Sequence, residues 1–152
     1  MQNLNHSDPP SLILRHRKEN LKKCSLRGLE TRSDIRFFTY PTDTLPSLEG
    51  YFLLSLDAPT LSSNDVHLGI FLIDSIWNYA PIMAKTLPTL PKRSLPAHIR
   101  TAYPRKQTGC SDPLRGLASI EALYAAYTIL NRDTTGLLDH YHWKEEFLKT
   151  LL

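Results

Sequence analysis

Two carboxylates stand out in this chain by their apolar surroundings. Asp74 terminates Leu68–Ile73, the most apolar run in the sequence, and Trp77 follows three residues later. Open α/β sheets bind ligands beyond the carboxyl ends of their strands, so an acid there can meet a ligand and a nearby indole can stack on a planar ring. The same spacing serves an Asp that caps the following helix and a Trp that fills core. Glu121 lies within Leu117–Asn131, a stretch otherwise free of charge. It either faces solvent and favours the dipole of a helix start, or orients backbone amides and side chains around a ligand there. Ser119 either caps that helix or contacts the ligand.

Other chemistries find little support. The six histidines are scattered, and His140 and His142 would point to different sides of a helix, so no metal site is expected. Cys24 and Cys110 are the only cysteines, which excludes a disulfide scaffold and suits a reducing compartment. There is no G-x-G-x-x-G, no P-loop and no G-x-S-x-G.

The formal charge of +3 hides a contrast along the chain. Residues 1–40 carry +4, residues 41–91 carry −4, residues 92–115 carry +5 and residues 116–152 carry −2. Two basic blocks flanking an acidic middle match a polyanion partner, whose neutralised phosphates release counterions; they also match ordinary surface solvation.

The elements that must position these residues read as an α/β fold with a mainly parallel sheet. At 152 residues, 41% hydrophobic and 22% charged, the chain suits one ordinary soluble domain. Residues 1–11, with Pro9 and Pro10, read as a loose leader, and Lys18–Leu29 as a basic, loosely helical stretch. Ile35–Tyr40, Tyr51–Leu56 and Leu68–Ile73 read as strands, the last buried on both faces. Ser75–Leu87 reads as a helix with Pro81 in its first turn or at a kink. The proline-rich Leu87–Pro104 reads as loop with a short strand at His98–Ala102, and Leu117–Leu130 and Thr134–Leu151 read as helices. The expected organisation is an N-terminal α/β part, 1–90, and a mainly helical C-terminal part, 91–152, in one compact unit. No apolar run approaches 18 residues and Met1–Leu14 lacks a charged segment ahead of an apolar one, so neither a membrane span nor a signal peptide is expected and the expected location is cytoplasmic.

Five short motifs in order resemble the small-subunit ribosomal RNA aminocarboxypropyltransferases, which are related to the DTW-domain proteins that modify tRNA. They are Lys22-Lys23-Cys24-Ser25; Leu61-Ser62-Ser63-Asn64-Asp65; Asp74-Ser75-Ile76-Trp77 at the strand end; Arg93-Ser94-Leu95-Pro96 with Ala102-Tyr103-Pro104 beyond; and Ser119-Ile120-Glu121-Ala122 opening an alanine-rich helix. Together they span most of the chain, and Trp143 with Phe147-Leu148 extends the parallel. Tyr103 stands where the family usually has Asn, and the N-terminal cysteine pairs of the tRNA-modifying branch are missing, which favours the ribosomal branch.

The resemblance implies a SPOUT-like fold with a C-terminal knot that transfers the 3-amino-3-carboxypropyl group of S-adenosylmethionine (SAM) to a uridine-derived base. It implies that Trp77 walls the pocket, that Leu95 presents backbone to adenosine and that Ser25 and Ser119 reach the amino-acid moiety. Asp74 would lie near the reacting carbon and Glu121 within the cofactor site. Arg15, Arg17, Lys22, Lys23, Arg27, Arg93, Arg100, Arg105 and Lys106 would grip phosphates of RNA, rRNA rather than tRNA. The expected state is a monomer with a role in ribosome biogenesis. The alternatives are a SPOUT-type RNA methyltransferase and a non-catalytic RNA- or ribosome-binding module without affinity for SAM.

Overall fold

A computed structural model describes residues 8–18, 25–75, 79–102 and 117–151. Five strands form one sheet: β1 (Ser11–His16), β2 (Ile35–Tyr40), β3 (Tyr51–Leu54), β4 (Gly69–Asp74) and β5 (Lys92–Arg93). Their order is β2-β1-β4-β3-β5 and every pairing is parallel. Three helices follow the pattern of the later sequence: α1 (Ala80–Lys85), α2 (Ser119–Ile129) and α3 (Lys144–Thr150).

The two apolar faces of the sheet explain its strand sequences. Alternate residues of β1 serve opposite sides: Ile13 joins Ile35, Phe52, Ile70 and Leu72 beneath α2, while Leu12 and Leu14 join Phe71 and Met83 of α1. From α2, Ile120, Leu123, Ala126 and Tyr127 enter the first cluster, with Phe147 of α3. Burying each large apolar side chain stabilises the fold by about 1.5–3 kcal/mol. Strands covered on both sides read as continuous apolar runs, as β4 does.

Four expectations are corrected. Ser11–His16, placed at the margin of a loose leader, is a fully buried interior strand of the sheet, between β2 and β4. The short strand expected at His98–Ala102 is instead Lys92–Arg93, extended by a parallel bridge between Thr60 and Ser94. The helix expected over Ser75–Leu87 is described only as Ala80–Lys85, with Pro81 in its first turn, where no backbone donor is needed. The terminal helix is confined to Lys144–Thr150; Leu137, Leu138 and Tyr141 are buried as their pattern suggests, but from a run of turns that includes Gly136 at φ 76°. None of the described helices is long and apolar enough to cross a membrane.

Candidate active site

The strand order creates a place for a ligand. The chain leaves β1 toward β2 on one side of the sheet and leaves β4 toward β5 on the other, so the carboxyl ends of β1 and β4 flank a topological switch point. There the register sets Arg15 of β1 opposite Asp74 of β4. Both residues are buried, and Arg15 Nε donates to Asp74 Oδ2 at 3.3 Å. The Ser119 hydroxyl donates to Asp74 Oδ1 at 2.7 Å. Asp74 therefore ties β1, β4 and the start of α2 together. Helix α1 takes Tyr79 as its N-cap, so Asp74 is not the residue that caps it.

The start of α2 is held from two further directions. Ser25 Oγ accepts the Ile120 amide at 3.1 Å, which brings the Ser25–Gly28 turn against the helix. Gly28, at φ 94°, lies so close to His140 that a Cβ there would meet the imidazole at 2.4 Å, so that turn requires glycine. Glu121 is fully buried and receives four donors: Thr101 Oγ1 and the Ala118 amide on Oε1, at 2.7 and 2.8 Å, and the Ala102 amide and Tyr141 hydroxyl on Oε2, both at 2.8 Å. Four donors match the acceptor capacity of a carboxylate. Its oxygens fix Ala102 and Ala118, and through Ala118 the position of Ser119.

On the opposite face of the same sheet end, His16 stacks on Tyr79 with ring centres 3.9 Å apart, and its Nδ1 accepts the Lys18 amide at 3.1 Å. Burial, and then the charges of Arg17 and Lys18, hold its imidazole below the ordinary histidine range.

The motif Leu61–Asp65 and the Arg93 segment turn out to be one assembly. Asp65 and Ser62 cap a 3-10 turn, and both carboxylate oxygens of Asp65 accept from Arg93 Nε at 3.3 Å. Ser94 adds bonds to the Pro59 and Ala58 carbonyls, at 2.8 and 2.7 Å, and accepts the Leu61 amide at 2.7 Å. Leu95 follows, half-buried against the main core cluster.

The structure thus brings together Asp74, Ser119 and Ser25, with Glu121 supporting them and Leu95 on the neighbouring assembly. Two cations expected on an RNA-facing surface are engaged by carboxylates. Arg15 is buried on Asp74, with Glu30 at 3.6 Å and the Phe37 ring at 4.5 Å. Arg93 is committed to Asp65 and to the Lys92 carbonyl. Arg17, Arg27 and Arg100 are exposed. Trp77, Lys22, Lys23, Arg105 and Lys106 lie outside the described residues. Sequence reasoning missed Arg15, Thr101 and Tyr141 as parts of this region. The one available signal was that β1, like β4, is an apolar run that ends in charge. No group of three or more His, Cys, Asp or Glu among the described residues could hold a metal ion.

No family model matches the sequence. No curated protein matches it either. Among solved structures, the chain is similar to that of the SAM-dependent rRNA:acp-transferase Tsr3 from Vulcanisaeta distributa, with a TM-score of 0.71 and 23% identity over 94% of this chain and 78% of that one. At that identity the likeness establishes the fold: this chain folds as that transferase does.

Proposed function

We propose that this protein is a SAM-dependent RNA-modifying transferase that moves the 3-amino-3-carboxypropyl group to a uridine-derived base in rRNA. The observation that carries the reading is the likeness to an rRNA:acp-transferase over nearly the whole chain. The buried Asp74–Ser119–Arg15 cluster supports it, because it stands at the switch point where such a sheet receives a ligand. The residues fit a cationic ligand with an amino-acid tail: a carboxylate can face a sulfonium, and the Ser25 and Ser119 hydroxyls can reach polar groups beside it.

SAM supplies an electrophilic side-chain methylene: a base nitrogen bonds to that carbon, the carbon–sulfur pair leaves with sulfur as neutral methylthioadenosine, and the nitrogen's proton passes to water. The chain's own part is orientation. Asp74 is the electrostatic partner of the sulfonium, Glu121 holds the start of α2 in place, Leu95 presents backbone to the adenosine, and Trp77 is the residue assigned to wall the pocket. The exposed Arg17, Arg27 and Arg100, with Lys22, Lys23, Arg105 and Lys106, supply phosphate contacts. The same reading carries a knotted SPOUT-like architecture, two sequence parts packed as one unit, a monomer, a cytoplasmic location and a role in ribosome biogenesis.

Two samples of SAM, radiolabelled in the carboxyl carbon or in the methyl group, test the reaction. Incubation with the protein and small-subunit RNA from cells lacking this protein should place the carboxyl label on RNA and leave the methyl label in solution. Transfer of the methyl label instead would make the protein a methyltransferase, and transfer of neither would leave it a binding module.

A further inference from the structure

Asp74 alone would hold a sulfonium too well. The positive charge on sulfur is present in the bound donor and gone from the product, so a group that attracts it stabilises the ground state more than the transition state. An uncompensated carboxylate at this point would therefore strengthen binding and slow the chemistry. The cluster contains the remedy. Arg15 stands directly opposite Asp74 on the adjacent strand, and both side chains are only 9% exposed. Its Nε is 3.3 Å from Asp74 Oδ2, and its guanidinium lies 4.5 Å over the Phe37 ring. Glu30, a second described carboxylate near Arg15, is farther, at 3.6 Å, and 46% exposed, so water screens it more than it screens Asp74.

We infer that Arg15 is a positioning residue of this site that offsets the charge of Asp74, so that the site holds the donor without resisting the loss of its positive charge. The inference rests on the SAM reading above. It removes Arg15 from the RNA-facing cations and gives it a role in donor selection: the affinity ratio of SAM to methylthioadenosine, which lacks both the sulfonium charge and the net-neutral aminocarboxypropyl group, follows the net charge of the Arg15–Asp74 pair. A merely structural ion pair would change stability and leave that ratio alone.

Calorimetry with both ligands and single-turnover transfer at saturating SAM test it on four variants. Arg15→Gln keeps a donor for Asp74 and removes the charge; the ratio should rise by about tenfold or more while the saturated transfer rate falls. Arg15→Lys keeps the charge and should hold the ratio within about threefold of the parent. Asp74→Asn should lower the ratio by about tenfold or more, and Arg15→Gln/Asp74→Asn, a neutral pair again, should return it to within about threefold of the parent. Because Arg15→Gln leaves a buried carboxylate without its cation, it is the variant least suited to folding. Comparing Asp74→Asn, in which Arg15 keeps Glu30 at 3.6 Å, with the double variant then asks the same question without a lone buried carboxylate. A ratio that stays flat across the series, or one that rises in Arg15→Gln with undiminished transfer, would overturn the inference alone. A folded parent that binds neither ligand would overturn the SAM reading and this inference with it.

Discussion

The two ends of the sheet are built from the same kinds of side chain and do different things with them. At the amino end, Arg32 grips Asp34 with two bonds of 2.9 Å and donates to the Thr135 and Asp133 carbonyls at 2.7 and 3.2 Å. Tyr127 donates to Asp34 at 3.2 Å and shares a 2.9 Å bond with Ser11, and Arg132 donates to the Val66 and Leu68 carbonyls. These bonds join the strand starts to backbone of the C-terminal turns, and the forked Arg–carboxylate geometry suits a lock. At the carboxyl end, Arg15 Nε reaches Asp74 through a longer bond of 3.3 Å, and the Ser119 hydroxyl also bonds Asp74. That pair is more buried than Arg32–Asp34, whose side chains are 19% and 41% exposed. Burial raises the electrostatic stakes, and the looser geometry leaves the pair able to respond to a ligand. The lesson is that the amino end ties its polar groups into locks on backbone, while the carboxyl end keeps a more buried pair at the place proposed for the ligand.

Titration separates the ends as well. The Arg32 bond, above all, holds the Asp34 carboxyl below the usual aspartate range, and burial pushes the Tyr127 hydroxyl up to about 12. Stability contributed by Asp34 is thus present above its ordinary value near 3.8 and lost as pH falls through its lower folded value.

The largest effect should come from Glu121, which belongs to the carboxyl end but is built like a lock. Glu121→Ala strands four donors, two of them backbone amides, and leaving each such buried group unpaired costs about 1–3 kcal/mol. Thermal denaturation should show a melting temperature lower by about 10 °C or more. Loss of SAM affinity should accompany it, because Ser119 loses its support. A variant that melts as the parent does would show that the hub is dispensable.

Tyr127→Phe draws the opposite contrast. Removing this hydroxyl takes partners from Ser11 and Asp34 and should lower stability by about 1–2 kcal/mol, a few degrees of melting temperature in a domain of this size. Calorimetry should find SAM affinity unchanged. Weakened SAM binding in the folded variant would mean that the two ends are coupled through the sheet.

The smallest effect concerns His16. With its imidazole held below the ordinary value near 6.5, the folded state resists a proton that the unfolded state accepts. The stability this confers is complete above pH 6.5 and is lost as pH falls toward the folded value. Denaturant titrations at pH 7 and pH 5 should therefore show a smaller loss for His16→Phe than for the parent.

How far the molecule can be read in advance follows from how many residues each feature needs. Gly69–Asp74 announces itself because a strand covered on both faces is apolar throughout, and Ile35–Tyr40 because its aromatic and apolar residues stand between Asp34 and Pro41. Ser11–His16 does not, although it is a fully buried interior strand: its apolar core is three residues, Leu12–Leu14, set between prolines and cations. The apolar positions of the C-terminal turns were legible as core, but Gly136 and the run of turns before Lys144 override the helical period. Asp74 and Glu121 could be singled out by their apolar surroundings, whereas Arg15 could not, because the sequence shows charge and not register. What placed Arg15 in the site is the pairing of β1 with β4, a contact between residues far apart in the chain.

The central claim, transfer of an aminocarboxypropyl group to rRNA, is tested most directly by mass spectrometry of nucleosides from the small-subunit rRNA of cells with and without this protein. The account predicts that a uridine-derived nucleoside bearing the aminocarboxypropyl mass is present in the first and absent from the second. An rRNA whose nucleosides are identical in both, or which loses only a methyl group, would contradict it.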